Sequence, residues 1–261
     1  MNEVDILLIT YHRQKFTQQT IESIRTRTTT PYRLIVVDNG SSQDMRQMLF
    51  DYQMLGVIEV LILLDRNYGL EYAKNTGMRF VSSTPYFVNT DNDLVIEAPT
   101  EEGDWLSKMI KLMDDHPEFG AIAARPQVLL GVPDIFQYEE GSKTEHLTPD
   151  GKIGFFYGGD GPCGGVYRIM RTEVVKKVGW RDEDTSNSRS EEWRICGELK
   201  RQGLKSGYAR YVRAYHLFGQ ENWGYDRSQE HYHVPHDYGE PKDVEYDTIT
   251  CKPKTEQYGH E

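Results

Sequence analysis

The sequence predicts an α/β fold in which a mostly parallel sheet is flanked by helices. Three observations predict it. From residue 4 to about residue 88, short apolar, β-branched runs alternate with segments of helical period. Proline, glycine and Asn-Gly steps separate the two kinds of segment. Each apolar run also ends in polar residues, and the strands of a βαβ sheet bring such ends onto one rim.

VDILLIT, Val4–Thr10, is apolar and short, and reads as a buried strand. Residues 15–27 place Phe16, Thr20, Ile21 and Ile24 at helical spacing. Pro31 closes the link to YRLIVVD, Tyr32–Asp38, the second strand. NGSSQD is a turn leading into a helix over 45–54, and VIEVLILL, residues 57–64, is a third strand. Ala73, Gly77, Phe80 and Val81 mark one face of a helix that starts near Leu70. PYFVN, residues 85–89, is a fourth strand that ends at two aspartates, Asp91 and Asp93.

The second half is less regular. A helix is expected over 105–113 and a strand over 120–130, and residues 131–162 read as strands with loops rich in glycine, proline and charge. GGVYRIM, residues 164–170, reads as a strand, and 171–179 as a short helix closed by Gly179. After the polar loop DEDTSNSRS, residues 191–203 form a helix with Ile195 and Leu199 inward, and KSGYARYVRAYH, Lys205–His216, is the last strand. Beyond Gly219 the chain is polar and aromatic, and a loosely packed tail is expected.

Composition narrows the function classes. The chain has 261 residues, an ordinary apolar share and a formal net charge of −11. That field disfavours sequence-independent attraction to nucleic acid or to an anionic membrane. No run of roughly 18 apolar residues occurs, so no integral membrane segment is expected. The N-terminus is acidic, unlike a secretory signal. Cys163, Cys196 and Cys251 lie far apart in sequence with no CxxC, which argues against a disulfide framework and fits a cytoplasmic protein. The sequon at Asn39 reads as a turn.

Two like charges at the mouth of a buried strand need an explanation, because close carboxylates repel and cost desolvation free energy. Either water solvates Asp91 and Asp93, or a cation sits there. Hard divalent ions prefer carboxylate oxygens, and Mg²⁺ takes one or two of them together with substrate phosphates. An isolated Asp-x-Asp is more often a solvated turn. Here Thr10, Tyr11, His12 and Arg13, Asp38 and Asn39, and Asp65, Arg66 and Asn67 end the other three strands, so the polar tips should share one rim.

LLITYHR, LIVVDNGSSQD, RNYGLEYAKNTG, FVNTDND, GPCGGVYRIMRTEVVKKVGW, SEEWRICGELKRQG and AYHLFG occur in an order and spacing that resembles the family-2 glycosyltransferases, nucleotide-sugar-dependent enzymes with the Rossmann-like GT-A fold. The resemblance runs from Val4 to about His216. It implies a glycosyltransferase domain over 1–219, with a nucleotide-sugar half at 1–98, a smaller acceptor-side half at 99–219 and a tail at 220–261. It also implies transfer from a nucleoside diphosphate sugar, with uridine diphosphate as carrier, to an acceptor hydroxyl with inversion, and Mn²⁺ or Mg²⁺ as cofactor. The acceptor class stays open among glycan, lipid-linked sugar, protein, small molecule and modified nucleic acid, and the oligomeric state is unspecified.

The resemblance assigns roles to residues. Tyr11 and Asp38 would hold the base, with Thr10 and Arg13 beside them. Arg66 would lie near base or phosphate, Asn67 would belong to the donor site, and Gly69, Ala73 and Gly77 would let a helix approach the sheet and nucleotide. Lys74 would reach a phosphate or stand on the surface. Asp93 would ligate the metal, with Asp91 near ribose or metal, Asn92 between them and His216 near metal or pyrophosphate. Glu191-Glu192 matches an acidic pair that is usually Glu-Asp, with Glu192 as general base; the extra methylene changes its reach. Gly164 and Gly165 would shape the acceptor side. Trp180 and Trp193 fit either an acceptor platform or the core.

Two further patterns carry less. Residues 159–164 satisfy G-x-G-x-x-G, but they precede a strand-like run and contain a proline, so a dinucleotide site is not expected. His231, His233 and His236 lack a partner spacing for metal. Three rival functions remain: a nucleotidylyltransferase, for which TYHRQKF lacks the Gly-rich loop; a retaining glycosyltransferase; and a non-catalytic carbohydrate-binding protein with this fold.

Overall fold

The structure is a computed structural model that describes residues 3–128, 145–155, 161–180 and 191–217. Its elements in chain order are β1 Val4–Thr10, α1 Gln14–Arg27, β2 Tyr32–Asp38, α2 Gln43–Met54, β3 Val60–Leu63, α3 Leu70–Met78, β4 Tyr86–Thr90, β5 Leu94–Ile96, α4 Trp105–Asp115, β6 Phe119–Val128, β7 His146–Leu147, β8 Ile153–Phe155, β9 Arg168–Arg171, α5 Thr172–Val178, α6 Glu191–Arg201 and β10 Lys205–His216. The expected tail, His231, His233 and His236, Cys251 and most of 131–160 lie outside the described residues. No described helix is long and apolar enough to cross a membrane.

One sheet runs in the order β3-β2-β1-β4-β9-β6-β10-β8-β7, with β5 paired to β10. β3, β2, β1 and β4 are mutually parallel, and β6 is parallel to β10. β9 runs against both β4 and β6, so those six strands share one direction around a single reversed insert. This is the mixed α/β architecture, with a mostly parallel sheet, that the alternating pattern predicts.

The strand period divides the core. Ile6, Leu8, Leu34, Val36 and Val88 face a cluster with Ile21 and Ile24 of α1, Met45 and Leu49 of α2, and Trp105, Leu106 and Met109 of α4. The alternate residues Leu7, Ile9, Ile35, Val37 and Phe87 face Ala73 of α3, Val175 of α5, and Ile195 and Leu199 of α6. Alternation along fully buried strands thus covers both faces with helices. Gly77 makes the α3 contact possible, because a Cβ there would stand 2.3 Å from a Leu7 methyl carbon. Gly69 has a different reason: it meets nothing within 4 Å, but its φ of +92° caps α3.

Three elements differ from expectation. The run 164–170 becomes a strand only at Arg168, because Tyr167 takes a φ of +42° and the Gly164 N–H donates to the Tyr208 hydroxyl, 2.9 Å. Val57 and Ile58 give their N–H groups to the Tyr52 carbonyl at the end of α2, so ladder pairing of β3 begins later than residue 57. β5, only three residues long, follows the aspartates and was hidden by its brevity. It pairs antiparallel with β10, with Leu94 opposite His216. That pairing carries the end of β10 to the aspartate loop.

Candidate active site

Parallel register aligns the strand tips. Thr10 stands opposite Asp38, Asp38 opposite Leu63, and Leu8 opposite Thr90. The loops after β1, β2, β3 and β4 therefore leave the sheet along one edge, at the carboxyl ends where α/β sheets place ligands.

The loop after β1 makes an uncommon step. His12 and Arg13 both have left-handed φ, +52° and +58°, and such a conformation costs a non-glycine residue about 1–2 kcal/mol. Three contacts hold it: the His12 N–H donates to Ser41 Oγ at 2.8 Å, and Asn92 Nδ2 donates to the His12 carbonyl at 3.2 Å and to Thr17 Oγ1 at 2.9 Å. The result aims Arg13 across the rim, with Nη1 2.8 Å from Asp93 Oδ2. Asn92 is thereby a buried clamp between two loops rather than a group presented to a ligand.

Asp38 is fully buried. Its carboxylate accepts from the Thr10 hydroxyl at 3.2 Å, the Ser41 N–H at 3.0 Å and Arg46 Nε at 3.3 Å. It braces the tips of β1 and β2 and offers no surface to a base in this arrangement. Asn67 is also internal to the scaffold: its Oδ1 accepts from Asn39 Nδ2 at 2.8 Å and from the Gly69 N–H at 2.9 Å. Gly40 has φ +89° and lies so close to Arg66 that a Cβ would fall 2.3 Å from its carbonyl carbon. Tyr11 is half-buried, with its ring 4.2 Å from that of His12, and Arg66 is exposed with its guanidinium 4.7 Å above the Tyr68 ring.

Asp91 is partly exposed and lies against Gly165, where a Cβ would stand 2.9 Å from Oδ2. Burial pushes its carboxyl up to about 7. The Lys74 charge opposes that rise, while Asp93, Glu191 and Glu192 add to it. His216 is lowered by burial, against the pull of Asp93, and its Nδ1 is buried with no hydrogen-bond partner among the described residues. The Leu217 N–H donates to the Asp93 carbonyl at 2.9 Å, which fixes the end of β10 to the aspartate loop.

Among the described residues no group of three or more His, Cys, Asp or Glu side chains is gathered to hold a metal ion. Asp91, Asp93 and His216 share a rim but do not form a closed three-ligand site, and Arg13 pairs with one Asp93 oxygen. The donor set still fits a hard cation of the kind that binds one or two carboxylates and completes its shell with substrate phosphate. The orphaned His216 nitrogen is a further acceptor at the same place.

Burial overturns the surface reading of Lys74 and decides the setting of Glu191 and Trp180. Lys74 is fully buried, not on the surface, and its Nζ lies 3.0 Å from Glu191 Oε1. Glu191 is buried and paired as well with Arg168 at 2.6 Å. Burial alone would raise its carboxyl, but the Arg168 and Lys74 charges hold it down at about 2. An acid so held is a poor proton acceptor. Trp180 is in the core: its ring packs edge-on to Phe87, and its Nε1 donates to the same Glu191 oxygen. It is not an exposed platform. Trp193 is 40% exposed. Glu192 is half-exposed, and no hydrogen bond or ion pair to it forms among the described residues.

Sequence reasoning missed Arg168, Cys163 and Tyr208. Arg168 lies inside a run that reads as an ordinary strand, and nothing local announces a charge with no exposed surface. Cys163 and Cys196 are free, buried, and 4.0 Å apart between sulfurs although 33 residues apart in sequence.

Known proteins share this fold. Poly-beta-1,6-N-acetyl-D-glucosamine synthase of Staphylococcus epidermidis is 23% identical over 188 residues, 69% of this chain and 42% of that protein. The chain spans less than half the length of the curated relatives it matches. The structure of GalNAc-T7 with UDP, GalNAc and Mn²⁺ superposes with a TM-score of 0.66 at 14% identity, covering 85% of this chain and 45% of that one. Residues 1–349 of TarS from S. aureus, in complex with UDP-GlcNAc, give 0.58 at 15% identity, covering 84% and 60%. These likenesses show the GT-A fold. The sequence profile of glycosyl transferase family 2 matches residues 5–179, and the chain belongs to that family.

Proposed function

We propose that this glycosyltransferase moves a sugar from a nucleoside diphosphate sugar, with uridine diphosphate as carrier, to an acceptor hydroxyl with inversion at the anomeric carbon. The observation that carries the reading is Glu192. It is a carboxylate without a partner among the described residues, at the start of α6, close enough to Asp91 to raise its carboxyl. A general base needs that freedom, and Glu191 beside it lacks it. The family membership supports sugar transfer, and the UDP-bound neighbours support the carrier.

Tyr11 offers an aromatic face to the base, and Asp38 supports the base's surroundings through the Thr10 and Ser41 segments that it holds. Arg13 and Arg66 contribute positive charge toward the phosphates. Asp93 and Asp91, with His216 near them, would hold a divalent cation, which would offset the charge gained by the departing diphosphate. Glu192 takes the proton of the acceptor hydroxyl as the oxygen attacks the anomeric carbon opposite the leaving group. Gly164, Gly165 and Trp193 border the acceptor side.

The test is release of nucleoside diphosphate from a panel of nucleotide sugars with Mn²⁺ and with chelator, followed by NMR of the product anomer. Glu192→Gln should keep donor binding and lose transfer by about 10²–10⁴-fold. Near-normal turnover in that variant removes Glu192 from the role, and a retained anomer removes inversion.

A further inference from the structure

We infer that Arg168, Glu191 and Lys74 form a buried positioning unit that sets Glu192 against the strand leading to Asp91; the inference rests on the reading of Glu192 as the base. The Arg168 guanidinium has no exposed surface, and each of its nitrogens is used. Nε donates to Asn89 Oδ1 on β4 at 3.0 Å, Nη1 to the Cys163 carbonyl at 3.0 Å, and Nη2 to Glu191 Oε1 on α6 at 2.6 Å. One side chain thus ties together three pieces of the rim. These are the strand whose next turn carries Asp91, the loop that continues into Gly164 and Gly165, and the first residue of the helix that carries Glu192.

Glu191 closes the unit. Its Oε1 also pairs with the Lys74 ammonium of α3 at 3.0 Å and accepts from Trp180 Nε1. Trp180 is itself fixed by Asn75 of α3, which accepts its backbone N–H at 3.0 Å. Consecutive helical residues advance by only about 1.5 Å, so a locked Glu191 fixes the backbone origin of Glu192. Placing the ion cluster here is expensive, because buried ions lose hydration that apolar packing would not require. A greasy core would hold α6 on the sheet equally well but would leave it free to slide or rotate. Directional bonds to Asn89 and to the Cys163 carbonyl set both its position and its rotation. The unit carries two cations and one anion. Arg168 therefore acts through Glu192 and Asp91 and does not itself touch substrate.

The experiment compares Glu191→Gln and Arg168→Lys with the unaltered chain. Both should lower kcat by about 100-fold, the loss expected when a reacting group is misplaced by about 1 Å, while nucleotide affinity by calorimetry stays unchanged. Amide exchange over residues 191–195 should accelerate in both variants, with exchange in β1 and β2 unchanged. If kcat per folded molecule and exchange in α6 both match the unaltered chain, the inference is overturned. Should Arg168→Lys fail to fold, Glu191→Gln alone decides. If the unaltered chain releases no diphosphate from any nucleotide sugar, the functional reading fails, and the exchange measurement alone decides whether the cluster positions α6.

Discussion

Arg13 and Asp93 face each other across the rim at 2.8 Å, so a side chain already occupies one of the two oxygens that Asp93 could offer a cation. The pair links the loop after β1 to the loop after β4 and neutralises one of the two aspartates that open this site. A cation bound through that oxygen would displace the guanidinium and free it for the phosphates of a donor.

Opposite effects of one substitution follow. Arg13→Ala should strengthen binding of Mn²⁺ alone, measured by calorimetry, because a competing positive charge is gone. The same variant should weaken nucleotide binding in the presence of Mn²⁺. Asp93→Ala should abolish metal-dependent nucleotide binding. Unchanged isotherms in Asp93→Ala would remove the aspartate loop from the donor site.

Gly165 tests whether Asp91 needs its present place. A methyl group there stands 2.9 Å from Asp91 Oδ2 and clashes only with the far end of a partly exposed side chain. Gly165→Ala should therefore leave the melting temperature nearly unaltered. The displaced carboxylate should cost about 10–100-fold in kcat/KM for the donor. A large fall in melting temperature with normal kinetics would make Gly165 a packing residue.

The acid limb of stability should report Asp104. This residue caps α4 and accepts from the Ser107, Thr29 and Thr30 N–H groups at 2.8, 2.5 and 2.6 Å. Burial works against its charge, but those donors hold the carboxyl down at about 2. A carboxyl depressed on folding stabilises the native state above its unfolded pKa, near 3.8, and that stability fades as pH falls from there through about 2. Asp104→Ala should cost about 2 kcal/mol at neutral pH, from the lost cap and the stranded N–H groups. The variant's stability should also be flatter between pH 4 and pH 2 than that of the unaltered chain, by urea titration at each pH. Parallel curves would assign the acid limb to other carboxylates.

The rim was legible because period is a local property. Alternating segments predicted β1, β2 and β10 with their observed bounds, and parallel pairing then brought Thr10 and Asp38 side by side. What sequence could not tell was which polar residues at the rim face outward. Asn67, Asn92 and Asp38 look like ligand contacts by position, yet each spends its hydrogen bonds on a neighbouring loop. Lys74 and Glu191 look solvated, because their partners lie on distant elements and only the folded chain joins them. His216 was placed near the aspartates by resemblance, but the physical reason is β5, three residues too short to show a period. The 33-residue separation of Cys163 and Cys196 hides their contact in the same way.

The two tryptophans should separate core from acceptor face. Trp180 is 3% exposed and gives its Nε1–H to Glu191, whereas Trp193 is 40% exposed one position after Glu192. Trp180→Phe keeps most of the apolar contact but leaves a buried carboxylate short of a donor. It should cost about 1–3 kcal/mol, read by denaturant titration, and lower kcat through Glu191. Trp193→Ala should leave stability within about 0.5 kcal/mol, as surface substitutions do. Its effect should appear as a raised KM for the acceptor with donor KM unchanged, because sugars pack on exposed aromatic faces. An unchanged acceptor KM in Trp193→Ala, with a fall in stability like that of Trp180→Phe, would return both residues to the core.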